Sequence, residues 1–220
     1  MTVDTHSFRE QLVQGVSELA IDLPESQVKK LVDYLSLLVK WNAVYNLTAV
    51  RDPALMVTQH LLDCLATLPA FINASRVLDV GSGGGLPGVM LAIWAQHAQP
   101  QMSVHMIDTV HKKTAFLTQA KSELGLSNVQ VHTGRVEQLN DEKKFDVITS
   151  RAFAELKDFV LWSGHLLTDG GKMIALKGQP QESELVGLPA GWEITKLEQI
   201  NVPGLAAQRH LVHIERMTNR

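Results

Sequence analysis

The sequence predicts an α/β fold in which a mostly parallel, twisted sheet is flanked by helices, ends in an antiparallel strand and carries a helical N-terminal extension. Three observations predict it. Residues 1–70 show a helical apolar period, short β-rich runs alternate with helical stretches from Arg76 onward, and a glycine-rich turn follows the first run. We expect one structural unit with two parts, a helical extension over 1–70 and a Rossmann-like domain over 71–220.

The composition suits a compact globular protein and excludes several function classes. Of 220 residues, 45% are hydrophobic, and the formal net charge is −3, which argues against unselective coating of nucleic acid. The single cysteine, Cys64, excludes an internal disulfide framework and is expected to pack as a small hydrophobic residue. The first residues lack the pattern of a secretory signal, and the stretch taken as the most apolar predicted helix, Leu31 to Trp41, is short and contains charges. We therefore expect a cytoplasmic protein without a membrane span.

The N-terminal extension is predicted to be helical from its apolar spacing. Apolar side chains recur at three- and four-residue steps from Val28 to Leu38, and Pro24 precedes them at a position that suits a first helical turn. A second helix is predicted to begin with Asp52 as its cap and Pro53 in its first turn. Its predicted apolar face consists of Leu55, Leu61, Leu62 and Leu65.

The rest of the chain is predicted to alternate between strands and helices. The predicted strands are Arg76–Val80, Met102–Ile107, Asn128–His132, Phe145–Thr149, Lys172–Leu176, Trp192–Leu197 and Arg209–Ile214. The predicted helices between them are Leu86–Gln96, His111–Leu124 and Glu155–Leu167. The loop between the last two strands is too short for a crossover helix, so we expect these strands to be antiparallel neighbours.

The strongest functional signal is the segment Val77–Gly88, where a predicted strand leads through closely spaced glycines into a helix. Such glycines let the backbone approach a ligand closely and offer it free N–H groups. Gly81, Gly83 and Gly85 give the GxGxG spacing typical of S-adenosylmethionine enzymes, whereas Gly83, Gly85 and Gly88 give the GxGxxG spacing of dinucleotide enzymes. The glycines alone leave both cofactors open.

Two carboxylates favour S-adenosylmethionine. Asp79 lies two positions before the first glycine, where a carboxylate repels a pyrophosphate but attracts the ammonium and sulfonium groups of S-adenosylmethionine. Asp108 follows the second predicted strand, at the position where a Rossmann-like site binds the ribose hydroxyls. We therefore predict S-adenosylmethionine as the cofactor and place both carboxylates in its site.

Short motifs beyond the glycine turn are distributed along nearly the whole chain. They are Lys40-Trp41-Asn42, Tyr45-Asn46-Leu47-Thr48, Arg51-Asp52-Pro53, His60-Leu61-Leu62-Asp63, Arg135-Val136-Glu137, Ser150-Arg151-Ala152-Phe153-Ala154, Ala175-Leu176-Lys177-Gly178 and Arg209-His210-Leu211-Val212. With the glycine turn, this set closely resembles the bacterial small-subunit ribosomal RNA methyltransferase G family, also called glucose-inhibited division protein B. Many methyltransferases share the glycine turn, but the Lys-Trp-Asn and Ser-Arg-Ala-Phe motifs are much more specific to this family.

The resemblance implies transfer of a methyl group from S-adenosylmethionine to N7 of a guanine in 16S ribosomal RNA, with RNA inside the small ribosomal subunit as the expected partner. It also implies that Gly81 and Leu86 contact the cofactor, that Val136 and Glu137 flank its adenine, and that Arg151 closes the site. The predicted cofactor site is the set Asp79, Gly81, Gly83, Gly85, Leu86, Asp108, Val136, Glu137 and Arg151.

The expected chemistry suits these residues. Guanine N7 carries an in-plane lone pair, so it accepts a methyl group without first losing a proton and requires no general base. The residues after the fourth predicted strand agree, because they lack the Asn-Pro-Pro-Tyr or Asp-Pro-Pro-Tyr motif of enzymes that methylate exocyclic amines. We predict Arg151 as the catalytic residue, through hydrogen bonds to guanine O6 or a nearby phosphate. The alternative is a structural ion pair of Arg151 with Glu137 or Asp146.

Further side chains have two interpretations each. Lys112, Lys113, Lys177 and Arg209 are predicted RNA contacts, with solvated surface faces as the alternative. Trp41 and Tyr45 are one helical turn apart, and core packing is favoured over stacking on an RNA base. The histidines predict no metal site, because the one close pair, His210 and His213, has an odd offset along a strand. We expect a monomer.

Three other functions fit parts of the pattern. A methyltransferase that acts on a small molecule or a protein has the same cofactor site, and a salt-sensitive RNA affinity separates the two. A dinucleotide-dependent oxidoreductase is disfavoured by Asp79 and by the lack of a second substrate domain. A catalytically silent RNA-binding assembly factor is disfavoured because Gly81, Gly83, Asp108 and Arg151 are all retained.

Overall fold

A computed structural model describes residues 5–153 and 155–217; residues 1–4, Ala154 and 218–220 lie outside the described residues. The helices are α1 Thr5–Glu18, α2 Glu25–Tyr45, α3 Pro53–Met56, α4 Asp63–Leu65, α5 Gly88–Ala98, α6 His111–Glu123, α7 Leu156–Ser163 and α8 Glu182–Val186. The strands are β1 Arg76–Val80, β2 Ser103–Asp108, β3 Val129–Thr133, β4 Phe145–Arg151, β5 Leu167–Lys177, β6 Trp192–Ile200 and β7 Arg209–Arg216. A π-helical segment, Val57–Leu62, joins α3 to α4.

The seven strands form one sheet in the order β3-β2-β1-β4-β5-β7-β6. Strands β1 to β5 are parallel, and β7 is antiparallel to both β5 and β6, which confirms the predicted antiparallel C-terminal pair. The strand order reverses between β1 and β4, and in open α/β sheets ligands bind outside the carboxyl ends of the strands at such a point. The glycine turn after β1 and Arg151 at the end of β4 flank this point.

The two sheet faces are covered by two different groups of residues. Side chains alternate along each strand, so Val77 faces the core shared with α1, α2, α5 and α6, whereas Leu78 faces the core shared with α7. Leu12 of α1 and Val104 of β2 belong to the same core, so the N-terminal helices pack on the sheet face that carries Val77. The division into 1–70 and 71–220 stays a prediction.

The helix that begins at Pro53 has the predicted start but a shifted apolar face. The Asp52 side chain accepts a hydrogen bond from Ala54 N, and Pro53 occupies the first turn. Leu61, Leu62 and Leu65 are buried as predicted, but Leu55 is 48% exposed and Met56 is buried in its place. The prediction for Leu55 is wrong because the π-helical segment adds residues to the turn and shifts the phase of the face.

The described stretch that comes nearest to a membrane span is Pro53–Phe71, and not Leu31 to Trp41 as the sequence pattern suggested. Two observations make it a core helix: about two thirds of it is buried inside the protein, and it carries the buried polar residues His60 and Asp63. Cys64 in the same stretch is fully buried, and burial raises the pKa of its thiol to about 12. Its predicted packing as a hydrophobic residue is confirmed.

The largest difference in strand boundaries concerns β5. In the helix predicted over Glu155–Leu167, the α-helical part ends at Ser163, a 3-10 helix follows over Gly164–Leu166, and β5 begins at Leu167. The pattern predicts a later start because glycines are depleted in strands, and Gly170 and Gly171 lie within the observed one. Here β5 accommodates Gly170 at a φ of 71°, and its pairing with β4 contains a register shift.

Candidate cofactor and acceptor site

The turn after β1 folds back onto the end of β2. Gly81 N and Ser82 N both donate hydrogen bonds to Ile107 O, at 2.9 and 3.1 Å. Gly81, Gly83 and Gly85 have φ angles of 69°, 55° and 86°, a region that side chains rarely adopt. A Cβ atom on Gly81 would meet no described atom within 4 Å, so glycine there also keeps open space beside the backbone. This is the space that a ligand approaching the turn requires.

Asp108 connects the glycine turn to α6. Its carboxylate is buried and accepts hydrogen bonds from Gly83 N at 3.0 Å and from Val110 N at 2.9 Å. Lys113 Nζ lies 3.5 Å from the same carboxylate. The side chain is therefore fixed at the carboxyl end of β2, where the sequence predicted an acid for the cofactor ribose.

Asp79 lies beneath the turn and not in the open space. Its side chain is fully buried, and Oδ2 accepts a hydrogen bond from Gly88 N at 3.0 Å, at the start of α5. Within the described chain, Oδ1 has no hydrogen-bond partner. Burial raises the pKa of Asp79 to about 7, although the hydrogen bond from Gly88 N and the nearby Ser82 hydroxyl, which donates to the backbone O of Asp79, act to lower it. Asp79 therefore fixes the turn from below, and its contact with a cofactor stays a prediction.

Three cavities follow one another along this edge of the sheet. The first, called the outer cavity, has a volume of about 720 Å³. Its lining includes the predicted cofactor residues Gly81, Asp108, Val136 and Glu137, with Phe153 on the rim. The carboxylate of Asp108, the apolar Val136 and the uncovered backbone of Gly81 suit a nucleoside, so the described residues fit the predicted cofactor. In the described chain, Asp79 lines none of the three cavities.

The second cavity, called the turn cavity, lies between the glycine turn and the N-terminal extension. It measures about 150 Å³ and includes Gly81 and Leu86 on one side and Leu38 and Leu47 on the other. The hydroxyl of Tyr34, fully buried on α2, donates a hydrogen bond to Gly84 O at 2.5 Å. The extension thus supplies one wall of this cavity and fixes the turn that forms the opposite wall.

The third cavity, called the cationic cavity, has a volume of about 420 Å³. Arg151, Lys177 and Arg209 contribute its positive charges. Arg151 and Ala152 line both the turn cavity and the cationic cavity, so the two spaces meet at the end of β4.

Asp63 holds two of these cations. Its Oδ2 accepts a hydrogen bond from Arg151 Nη1 at 3.1 Å, and its Oδ1 accepts one from Arg209 Nε at 2.8 Å. The alternative partners for Arg151 were wrong: Glu137 lies 3.8 Å from Arg135, and Asp146 accepts hydrogen bonds from the backbone at the start of β1. The ion pair is real, but its acid comes from the N-terminal extension.

His60, like Asp63, belongs to the site although the sequence motifs assigned it no role there. Its ring is buried, with Nε2 at 2.8 Å from Thr48 Oγ1 and Nδ1 at 3.3 Å from Arg151 Nη2. Burial and the charge of Arg151 lower the pKa of His60 to about 4, so the ring is neutral at neutral pH. The His-Leu-Leu-Asp motif was the signal for His60 and Asp63, although it did not reveal their partners.

The four predicted RNA contacts do not form one surface. Lys113 pairs with Asp108 at the outer cavity, and Lys177 donates hydrogen bonds to Glu184 at 2.7 Å and to Phe153 O at 3.1 Å. Lys177 and Arg209 line the cationic cavity, whereas Lys112 is exposed on α6 and, in the described chain, lines none of the three cavities.

Trp41 and Tyr45 have different environments. The ring of Trp41 is 5.6 Å from that of Phe116 in an edge-to-face arrangement and packs against the core, as favoured from the sequence. Tyr45 lies 5.0 Å from Trp41, and 41% of it is exposed.

Solved structures share the overall fold of this chain. The chain resembles the O-methyltransferase TomG from Streptomyces achromogenes, solved in complex with S-adenosylmethionine, with a TM-score of 0.60, 15% identity and coverage of 99% of this chain and 100% of that one. At this identity the likeness concerns the fold. The chain, with its glycine turn and Asp108 at the strand ends, therefore has the Rossmann-like fold of class I methyltransferases.

Sequence comparison then gives the family. The model of the family described as rRNA small subunit methyltransferase G matches residues 27–212. The proteins named Ribosomal RNA small subunit methyltransferase G from Janthinobacterium sp. (strain Marseille) and Ralstonia nicotianae are 65% and 53% identical to this chain, over 93% of this chain and 93% of each relative. The chain belongs to the rRNA small subunit methyltransferase G family.

Proposed function

We propose that this protein transfers a methyl group from S-adenosylmethionine to N7 of one guanine in 16S ribosomal RNA. Bound S-adenosylmethionine supplies a methyl group on a sulfonium, and transfer leaves S-adenosylhomocysteine. The observation that carries the proposal is the contact between two spaces: the turn cavity beside the glycine turn and the cationic cavity share Arg151 and Ala152. A cofactor on one side and an RNA base on the other meet there.

On the cofactor side, the residues at the ends of β1 and β2 bind and orient the cofactor. Asp108, Val136 and Glu137 line the outer cavity, where Asp108 would accept hydrogen bonds from the ribose hydroxyls and the other two would lie beside the adenine. Gly81, Gly83 and Leu86 line the turn cavity and would lie along the bound cofactor. In the described chain, Gly85 lines none of the three cavities and is packed against Val89 and Leu117, so it would serve the shape of the turn. Asp79 acts from beneath, because it holds the first turn of α5 through Gly88 N.

On the acceptor side, the titratable groups are not suited to removing a proton. Two arginines already occupy both Asp63 oxygens, and burial and the charge of Arg151 lower the pKa of His60 to about 4, which makes its ring a weak base. An acceptor that reacts through a lone pair, such as guanine N7, fits this arrangement better than an exocyclic amine does. Arg151 orients the base through O6 or a phosphate, and positioning supplies most of the rate enhancement, up to about 7–11 kcal/mol in well-oriented systems.

The proposed partner is 16S ribosomal RNA within the small ribosomal subunit, in the cytoplasm, with the enzyme acting as a monomer. The supporting observation is the distribution of charge. Lys177 and Arg209 are paired with Glu184 and Asp63, and the formal net charge of the chain is −3. Such a protein gains little from unselective attraction to phosphates and depends on the shape of an assembled particle.

The experiment that tests the function is methyl transfer from labelled S-adenosylmethionine to small subunits purified from a strain that lacks this enzyme. The methylated position is then mapped by borohydride and aniline cleavage, which cuts RNA at N7-methylguanosine. Label at N7 of one 16S guanine supports the proposal. Tight cofactor binding without transfer to subunits or to free 16S RNA contradicts it.

A further inference from the structure

Three described residues line both the turn cavity and the cationic cavity: Thr48, Arg151 and Ala152. They come from two sides of the boundary. Arg151 and Ala152 are at the end of β4 and just after it, whereas Thr48 belongs to the loop between α2 and α3. Any group that passes from one cavity into the other passes between them.

The backbone at Ala152 is unusual. Its φ angle is 62°, in the left-handed region that residues other than glycine seldom adopt. This conformation turns the chain between two neighbours that line different spaces, since Arg151 lines the cationic cavity and Phe153 lines the outer cavity. Strained backbone of this kind persists where the surrounding structure holds it, and it clusters at functional sites.

The wall opposite Ala152 is fixed by hydrogen bonds. The Thr48 hydroxyl lies 2.8 Å from His60 Nε2 and accepts a hydrogen bond from Val50 N at 3.2 Å. The buried Asn42 side chain holds the same loop, accepting from Thr48 N at 2.8 Å and donating to Val50 O at 3.2 Å. The Thr48 wall therefore does not yield easily to a larger group.

We propose that Thr48, Arg151 and Ala152 form the aperture through which the acceptor base and the transferred group meet, and that the Ala152 side chain sets its width. This inference rests on the proposed function. Ala152 is then a specificity-determining residue: its single methyl leaves space for a one-carbon group and excludes a larger one.

The test is a size series at position 152 with two donors, S-adenosylmethionine and its S-ethyl analogue. Ala152→Gly fits a positive φ without a Cβ penalty, so this variant is expected to fold at least as stably as the wild type. Because it widens the aperture, its ratio of ethyl to methyl transfer should rise about tenfold, the low end of the effect of one methylene group in a pocket. A gain in ethyl transfer cannot result from partial misfolding.

Ala152→Ser adds one atom to the same wall and should lower kcat about tenfold, again the low end of the one-methylene effect, with a cofactor Kd within about twofold of the wild type. Ala20 is the matched control, since it has a φ of 54° and lies after α1, away from these three cavities. Ala20→Gly and Ala20→Ser carry the same backbone effects and should leave both kcat and the ethyl-to-methyl ratio unchanged.

The outcomes separate the two proposals. An unchanged ethyl-to-methyl ratio in Ala152→Gly, in an enzyme whose wild type methylates 16S RNA, overturns the aperture. Equal changes in the Ala20 and Ala152 variants also overturn it, because backbone strain alone then explains them. Absence of transfer by the wild type overturns the proposed function instead.

Discussion

The two halves of the site are built in different ways. The cofactor half consists of short, contiguous segments at the ends of neighbouring parallel strands. The hydrogen bond from Gly83 N to Asp108, for example, joins the turn after β1 to the end of β2. The acceptor half joins segments from across the chain: the ion pair of Asp63 with Arg209 spans 146 positions. A local motif therefore predicts the cofactor half, whereas the acceptor half exists only once the N-terminal extension has packed on the sheet.

The halves also use charge differently. Asp108 faces a cavity with backbone N–H groups and one lysine around it, whereas the cations of the acceptor half are balanced by Asp63 and Glu184. We infer that the cofactor half binds its ligand mainly through direct contacts. The acceptor half orients a base with cations that are fixed by carboxylates, so their net charge is small. Variants should separate these two tasks.

The largest effect is expected for Arg151→Ala. Removal of a fixed hydrogen-bond donor at a reaction centre costs about 10²–10³ in kcat, and cofactor affinity should change far less because the outer cavity is intact. Stopped-flow or single-turnover methyl transfer gives the first quantity and calorimetry the second. Arg151→Lys is the control, which keeps the charge but not the planar fork and should fall in between. Equal losses in turnover and in cofactor affinity would contradict the role of Arg151 in orienting the acceptor base.

The next effect is on stability and concerns Asp63→Asn. Two arginines would lose their charged partner, which should lower the free energy of unfolding by about 2 kcal/mol, somewhat below the cost of breaking a fully buried pair. Denaturant unfolding measures this, and the KM for small subunits should rise as well. Asp141→Asn is the matched control, because Asp141 pairs with Arg76 away from the cationic cavity. A rise in KM in the control as well would show that the Asp63 effect is not local.

A smaller effect is expected for Asp108→Asn in the cofactor half. The amide keeps the shape but weakens hydrogen bonds to the ribose, so the Kd for S-adenosylmethionine should rise about tenfold, in line with the net value of a charged hydrogen bond. At saturating cofactor, kcat should stay within a few-fold of the wild type. A kcat defect that persists at saturation would mean that Asp108 also acts in the chemical step.

The smallest effect is a pH dependence of stability at Asp79. Its pKa is about 7 in the folded protein against an ordinary value of 3.8, so the unfolded chain releases its proton first as the pH rises. The stability that protonated Asp79 contributes is fully present below its unfolded pKa of 3.8 and is lost as the pH rises through its folded pKa of about 7. Compared with Asp79→Asn, the wild type should lose about 1 kcal/mol of stability between pH 6 and pH 8. Parallel pH profiles for the two proteins would contradict the assignment.

Sequence reasoning predicted most of the fold because the relevant signals are local. The bounds of β1 match the prediction, and the antiparallel pair of β6 and β7 follows from the short loop between them. The error at Leu55 has a local physical cause as well: an α-helical period cannot anticipate the extra residues of the π-helical segment Val57–Leu62.

The site was predictable to a lesser degree. Gly81, Asp108, Val136 and Glu137 line one cavity, as their motif suggested. The burial of Asp79 depends on how the turn closes over it, which spacing does not show. The partners of Arg151 come from another part of the fold, so no spacing near Arg151 pointed to Asp63.

The most direct measurement for this account is a double-variant cycle of Asp108→Asn and Arg151→Ala, with cofactor Kd and kcat at saturating cofactor determined for all four proteins. If the two halves have separate tasks, the double variant combines the Kd of the first with the kcat of the second, and the free-energy changes in kcat/KM add within about 0.5 kcal/mol. A double variant no worse than Arg151→Ala alone in both quantities would contradict the account, because the two residues would then act as one unit.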